Sequence, residues 1–173
     1  MAFSLFKGPD KADGAKRSTL TVERMLASGE FAAAESAALE LVESSPDEAA
    51  PRVVLGMALK AQGRLRGALA AFEAAVARNP SDVEALTDLA EMCLELGLLE
   101  EALFIVGQAV KLAPTAAPTR LIQARALDAT LRPAKAAQAY LVALGSGSII
   151  PAAQEGLISV IEHSPEVVPD REN

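Results

Sequence analysis

The sequence has 173 residues and a formal net charge of −7 at neutral pH, and half of its residues are apolar. A net negative chain lacks the basic face that binds a nucleic-acid backbone or an anionic membrane, which excludes both as the main partner. The single cysteine rules out an internal disulfide and, together with the absence of a run of about 18 apolar residues, predicts a cytoplasmic protein without membrane insertion.

The first predicted segment, residues 1–17, is a flexible leader. It reads MAFSLFKGPDKADGAKR, a short apolar start followed by a stretch rich in Gly, Pro, Lys and Asp. The apolar part is shorter than the roughly 7–15 residues of a secretory signal. The remainder has the composition of disordered chain, so we expect no stable structure before residue 18.

From residue 15 onward the sequence repeats with a period of 34 residues. The columns are Gly29, Gly63 and Gly97, with Leu131 in the fourth slot; Ala34, Ala68, Ala102 and Ala136; and Pro46, Pro80 and Pro114. A fixed period of this size is typical of stacked repeat units. The sequence therefore predicts an array over 15–150 that consists of four units, 15–48, 49–82, 83–116 and 117–150.

Each unit is predicted to contain two helices joined by a short turn. Apolar residues after Gly63 recur at helical spacing, and the glycine supplies the left-handed residue that ends the helix before it. Ser45 and Ser81 are predicted to cap helices, because a glutamate follows each at the capping-box distance. One helix pair cannot bury its apolar side alone, so the pairs should share a core.

The C-terminal residues predict a cap and a tail. Residues 151–164 should form one further helix, in which Leu157, Ile158 and Ile161 cover the exposed edge of the fourth unit. Residues 165–173, with the sequence PEVVPDREN, are predicted to be a flexible tail.

The chain offers few residues for catalysis or metal binding. His163 is the only histidine, so we predict neither a histidine-based metal cluster nor a Ser-His-Asp triad. Cys93 is interpreted as a small buried apolar residue, because no basic neighbour in sequence would activate its thiol. We therefore predict that the protein is not an enzyme and uses no cofactor and no metal.

The repeat resembles the tetratricopeptide repeat family. The second unit has Leu55-Gly56, Ala68, Phe72, Ala75 and Pro80 in the family's characteristic slots, and the third has Leu89-Ala90, Ala102, Val106, Ala109 and Pro114. The resemblance covers about residues 15–150. It implies an all-α fold, a right-handed α-solenoid of four helix pairs followed by the C-terminal capping helix.

The resemblance also implies where a partner would bind. In the family, the first helix of each unit lines a concave groove, and the slots that face it hold Val53, Met57, Lys60, Thr87, Glu91, Leu94, Glu95, Leu121, Arg125 and Asp128. The third unit adds an acidic wall, predicted to consist of Glu84, Asp88, Glu91, Glu95, Glu100 and Glu101. Such a surface favours a protein segment with apolar anchors and positive charge.

Two functional classes are compatible with these observations. One is a protein-binding module, an adaptor or dedicated chaperone for a bacterial partner; the stretch 90–94 followed by Gly97 and Ala102 is similar to the tetratricopeptide-type chaperones of type III secretion translocators. The alternative is a structural or assembly subunit of a larger bacterial complex. The sequence neither requires nor excludes self-association.

Overall fold

The structure, a computed structural model, describes residues 11–145 and 150–164. All regular secondary structure in these ranges is helical, and the described residues contain no strand. The helices are α1 Lys11–Ala27, α2 Phe31–Ser44, α3 Ala50–Ala61, α4 Leu65–Arg78, α5 Val83–Glu95, α6 Leu99–Leu112, α7 Ala117–Ala129, α8 Pro133–Gly145 and α9 Pro151–His163. The predicted all-α fold of repeated helix pairs is confirmed.

The prediction for the N-terminal leader is corrected by the start of α1. This helix begins at Lys11, so residues 11–17 are helical. Alanine, lysine and arginine favour a helix there, and the single Gly14 costs only about 1 kcal/mol in a helix interior. Residues 1–10 of the leader, residues 146–149 and the predicted tail 165–173 lie outside the described residues.

The turns between paired helices share one geometry. The second residue after each first helix has a positive φ: Gly29 (82°), Gly63 (73°), Gly97 (76°) and Leu131 (57°). The next backbone N–H donates to a carbonyl five residues earlier, at 2.8–2.9 Å: Glu30 to Met25, Arg64 to Leu59, Leu98 to Cys93 and Arg132 to Leu127. This is the hydrogen bond of a Schellman motif, so the predicted role of the glycine column is confirmed.

Helix α5 starts one residue later than the predicted cap requires. Asp82 is its N-cap, and the Asp82 side chain accepts from the backbone N–H groups of Glu84 and Ala85 at 3.1 Å. The predicted cap at Ser81 is therefore wrong, because an N-cap residue bonds the second or third helical N–H. Ser45 is not a cap of α3 either, since it ends α2.

The chain divides into two compact units, each of which holds more than one repeat unit. From here on, the first unit means residues up to Asn79 and the second unit means residues from Pro80 onward. In the first unit, α1 packs with α2, α3 with α4, and α3 also contacts α1 and α2. Its core contains the buried residues Val22, Ala34, Ala38, Val54 and Ala58. Alanine at these contacts lets the helices approach closely.

A polar contact also joins α2 to the end of α3 in the first unit. Gln62 Nε2 donates to Glu35 Oε2 at 2.9 Å, and Arg64 Nη1 donates to Glu35 Oε1 at 2.6 Å. These hydrogen bonds, first the one from Gln62 and then the one from Arg64, hold the pKa of Glu35 below its usual range.

The second unit contains α5 to α9. Helix α5 pairs with α6 and α7 with α8, while α7 also contacts α5 and α6, and α9 contacts α7 and α8. One cluster of buried residues joins α5, α6 and α7 through Ala90, Val106 and Ile122. A larger cluster surrounds Tyr140 and extends to Ala153 and Val160 on α9, with Leu157 packed against it.

The cap prediction is correct for the helix and for Leu157 but wrong for two of its residues. Ile158 is 55% exposed and Ile161 is 37% exposed. The residues of α9 that face the core are Ala153, Leu157 and Val160. Ile158 directly follows Leu157, and Ile161 directly follows Val160. One residue along a helix turns the side chain by roughly 100°, which carries both isoleucines away from the covered side.

Candidate functional site

The predicted groove residues fall in both compact units. Val53, Met57 and Lys60 lie on α3 in the first unit. Val53 is buried there, while Met57 and Lys60 are half-buried. The other predicted groove residues lie on α5 and α7 in the second unit: Thr87, Glu91, Leu94, Glu95, Leu121, Arg125 and Asp128.

The second unit presents a layer made of the first helices of its pairs. Helix α5 lies beside α7, and α7 lies beside α9. Four carboxylates on α5, spaced four, three and four residues apart, share one face of the helix: Glu84, Asp88, Glu91 and Glu95. We call this row the acidic stripe. None of its members is buried, so it is accessible to a partner.

Glu91 in the acidic stripe is paired with Arg125 on the neighbouring helix. Arg125 Nη1 donates to Glu91 Oε1 at 3.0 Å, and both side chains keep contact with solvent. The two residues stand 34 positions apart in the sequence, in the same slot of consecutive repeat units. The sequence columns carried this signal, because opposite charges in one slot on adjacent parallel helices can meet, but the prediction missed it.

Thr87 has a structural role and does not face a groove. It is buried, and its hydroxyl donates to the carbonyl of Val83 at 2.7 Å. Its oxygen also lies 2.9 Å from the hydroxyl oxygen of Thr119 on α7, which is buried as well. Since Thr87 has one hydroxyl proton, Thr119 must be the donor of this second bond. The pair fixes α5 against α7 beneath the accessible layer.

The remaining predicted residues of α5 and α7 line the layer unevenly. Leu94 and Leu121 are half-buried and pack against core clusters, which leaves a partial apolar surface for contact.

Asp128 and Arg125 lie close enough to Tyr140 to influence its ionisation. Burial raises the pKa of Tyr140, the charge of Asp128 raises it further, and the charge of Arg125 lowers it.

The predicted acidic wall of six carboxylates is divided between two places. Glu100 and Glu101 are in the first turn of α6, where negative charge favours the helix dipole. They line a surface depression of about 490 Å³ together with Gly97 and Leu131. Glu100 is also paired with Arg132 at 3.6 Å. Of the six predicted carboxylates, only the four of the acidic stripe therefore share one helix face.

The described residues show little that could support catalysis. They contain no group of three or more His, Cys, Asp or Glu side chains able to hold a metal ion. Cys93 is buried, as predicted. His163 is exposed on the last turn of α9, and its Nδ1 lies 2.8 Å from the carbonyl oxygen of Ser159. Among the helices of the described ranges, none has the length and apolar character needed to span a bilayer.

Helix pairs at a fixed period, with their first helices side by side, define an all-α helical repeat protein. A family model described as tetratricopeptide repeat matches residues 53–119. Residues 53–119 therefore carry the tetratricopeptide repeat pattern that the sequence columns indicated. No curated protein matches the sequence at a significant level.

Solved structures share this fold at low sequence identity. A tetratricopeptide repeat protein of Thermus thermophilus, TTC0263, is 20% identical with a TM-score of 0.75, over 86% of this chain and 82% of that one. MamA of Desulfovibrio magneticus RS-1 is 20% identical with a TM-score of 0.69, over 90% and 93%. PilF of Pseudomonas aeruginosa is 16% identical with a TM-score of 0.82, over 91% and 72%.

Proposed function

We propose that the protein is a non-catalytic binding module, an adaptor or dedicated chaperone, which holds a segment of a partner protein against the first-helix layer of its second unit. Tetratricopeptide repeats generally mediate protein–protein interaction, which supports the general class. The acidic stripe on α5 is the observation that carries the proposal. A cytoplasmic location belongs to it too, because a single cysteine, which cannot form an internal disulfide, fits a reducing compartment.

The charge of the layer defines the chemistry of the partner. Helices α5, α7 and α9 together carry seven carboxylates and two arginines. Arg125 is paired with Glu91, and Arg120 donates to the carbonyl of Pro114 at 2.6 Å and to Gln123 Oε1 at 2.7 Å. A segment with several lysines or arginines would therefore meet a predominantly negative surface, which favours both the encounter and the specificity of binding.

Apolar side chains of the partner would complete the contact. Leu94 and Leu121 are the predicted anchoring residues on α5 and α7, and each is half-buried. Acidic rows with apolar neighbours suit an amphipathic segment whose leucine or aromatic residues alternate with basic ones. Met57 and Lys60 on α3 stay a prediction as partner-binding residues of the first unit.

Charge reversal at one exposed member of the stripe tests the proposal. Full-length protein is used to isolate the native partner, and its affinity is then measured by calorimetry for wild type and for Glu95→Lys. We expect about tenfold weaker binding, or ~1.4 kcal/mol, with a steeper loss in wild type as salt rises. Glu91→Lys is less suitable as the main variant, because that change also breaks the ion pair with Arg125.

Glu101→Lys is the matched control, because it makes the same charge change on an exposed residue of α6. Its affinity should stay close to that of wild type. Equal affinities for wild type and Glu95→Lys, or an equal loss in the Glu101→Lys control, would contradict binding at the stripe.

The alternative function, a structural or assembly subunit of a larger bacterial complex, is favoured by a different surface. Phe104 on α6 is 70% exposed and Leu141 on α8 is 57% exposed, so the second helices present large apolar side chains. Exposed apolar surface of this kind supports persistent contacts. A stable assembly that Phe104→Ser and Leu141→Ser disrupt, and that Glu95→Lys leaves intact, would favour this function.

A further inference from the structure

Helix α9 occupies the register of a first helix, but no second helix follows it in the described residues. We number the slots of a repeat unit from its first residue, which is 49, 83 or 117 in the second to fourth units and 151 for α9. In the pairs α3–α4, α5–α6 and α7–α8, the eighth and eleventh slots of the first helix are covered by the second helix of the same pair. A Cβ at Gly56, an eighth slot, would lie 2.7 Å from the ring of Phe72 on α4. The eighth-slot residues Ala90 and Ala124 are fully buried, in clusters with the second-helix residues Val106 and Tyr140.

The eleventh slot is covered in the same way. It holds Leu59 in α3, Cys93 in α5 and Leu127 in α7, and all of these are buried. On α9 the two slots hold Ile158 and Ile161, which are 55% and 37% exposed. We call these two residues the uncovered α9 face. Among the described residues, α9 therefore keeps large apolar side chains exposed in the two slots that α3, α5 and α7 fill with buried or covered residues.

We propose that the uncovered α9 face binds an amphipathic helix of another protein, which takes the place of the second helix of a fifth pair. This interaction is independent of the acidic stripe.

The size of Ile158 defines the residue that faces it. In this chain, a small eighth-slot residue faces a larger side chain of the second helix, as Gly56 faces Phe72 and Ala90 faces Val106. Ile158 is itself large, so the bound helix must present alanine or glycine at that point. A larger side chain there would overpack the contact.

The charge around the face defines the flanks of the bound helix. Glu155 and Glu162 lie three residues before and four residues after Ile158, so they border the face on the same side of α9. Lysine or arginine beside the apolar row of the partner would complement them. A second copy of this chain would bring the same glutamates and a net charge of −7, which disfavours pairing of two α9 helices.

Stapled helical peptides of 14 residues, the length of α4 and α6, test this proposal. The first peptide has a Leu-Ala-Leu apolar row flanked by arginines; the second replaces the arginines with glutamates; the third replaces the central alanine with phenylalanine. Binding to the full-length protein is measured by fluorescence anisotropy. We expect the first peptide to bind and the other two to bind at least tenfold more weakly.

The variant Ile158→Ser/Ile161→Ser should weaken binding of the first peptide at least tenfold while thermal melting stays nearly unchanged, because both side chains are exposed. Leu112→Ser, a similar change at an exposed leucine of α6, and Glu95→Lys should bind it like wild type. Loss of binding in Glu95→Lys would move the peptide to the acidic stripe and overturn this proposal.

Four further outcomes would overturn it. The double variant could bind the peptide as wild type does, or the glutamate peptide could bind equally well. Sedimentation could show a wild-type dimer that the double variant abolishes, which would make a second copy the occupant. Binding that appears only after removal of residues 165–173 would show that this segment of the chain covers the face.

Discussion

The third and fourth helix pairs end their first helices in the same way but with different residues. In the third pair, Gly97 has a φ of 76°, and the Leu98 N–H donates to the Cys93 carbonyl at 2.8 Å. In the fourth pair, Leu131 has a φ of 57°, and the Arg132 N–H donates to the Leu127 carbonyl at 2.9 Å. The hydrogen bonds are equivalent, although only glycine adopts this backbone conformation without cost.

The difference shows that packing of the paired helices determines the turn. Leu131 is 89% exposed, so contacts of its own side chain do not compensate for a left-handed backbone. A left-handed residue other than glycine costs roughly 1–2 kcal/mol. The contact between α7 and α8, with Ala124, Ala136 and Tyr140 in its core, must supply the stability that holds this turn closed.

The largest effect is expected where the two pairs are alike. Ala102 on α6 and Ala136 on α8 occupy the same slot, and both are fully buried. Ala102→Leu and Ala136→Leu should each lower the free energy of unfolding by roughly 1–3 kcal/mol, because a larger side chain overpacks the contact between paired helices. Urea denaturation of the two variants measures the loss.

Ala134→Leu is the control for these variants, since Ala134 is an exposed alanine of α8. It should change stability by no more than about 0.5 kcal/mol. An unchanged stability of Ala102→Leu would mean that the alanine column does not mark the helix contact. Clearly different losses at the two sites would show that the pairs are packed less alike than their burial indicates.

An exchange of turn residues should give a smaller effect of opposite sign in the two pairs. Gly97→Leu should destabilise the protein by about 1 kcal/mol, and Leu131→Gly should stabilise it by a similar amount, because the left-handed strain is added or removed. Thermal and urea denaturation measure both changes. The double exchange should be near neutral.

The exchange also tests whether the turns are independent. Both residues line the same surface depression, so their effects need not add, and a double-mutant cycle gives the coupling. If Leu131→Gly lowers stability, the leucine side chain makes a contribution that its exposure does not suggest, and the strain argument is wrong.

The same comparison shows what the sequence could predict of the fold. The column of Gly29, Gly63 and Gly97 marks the turns because glycine is the residue that adopts that backbone without strain, so periodicity was sufficient to place them. It also predicted the left-handed slot at which Leu131 stands. It did not place the start of α1, where good helix formers outweigh Gly14, and it chose Ser81 over the adjacent Asp82 as a cap.

The candidate site stays a prediction, and only part of its geometry could be read from the sequence. The family slots pointed to α5 and α7, but the predicted acidic wall of six carboxylates is divided between α5 and α6. Burial of Thr87 and the exposure of Ile158 depend on which neighbouring helix covers each residue, and a single sequence does not contain that information. The pairing of Glu91 with Arg125 was visible in principle, as opposite charges in one column.

The smallest expected effect concerns a residue that only the fourth pair has. Val106 in the third pair corresponds to Tyr140 in the fourth, and both are buried. The pKa of Tyr140 is raised in the folded protein, first by burial and then by the charge of Asp128. A raised pKa means that the folded state favours the neutral phenol, so its contribution is complete below the unfolded pKa of about 10 and is lost as pH rises through the folded value.

Wild type should therefore lose stability between about pH 10 and the raised pKa, by at most about 1.4 kcal/mol per pH unit from this group, while Tyr140→Phe should lose less. Urea denaturation at neutral pH and above pH 10 gives the difference between the two proteins, in which the titration of lysines cancels. Tyr140 is the only tyrosine and the sequence has no tryptophan, so the ultraviolet absorbance of tyrosinate reports its ionisation directly. Parallel losses of stability in the two proteins, or ionisation of Tyr140 at its ordinary pH, would show that the contact between α7 and α8 does not exclude the phenolate.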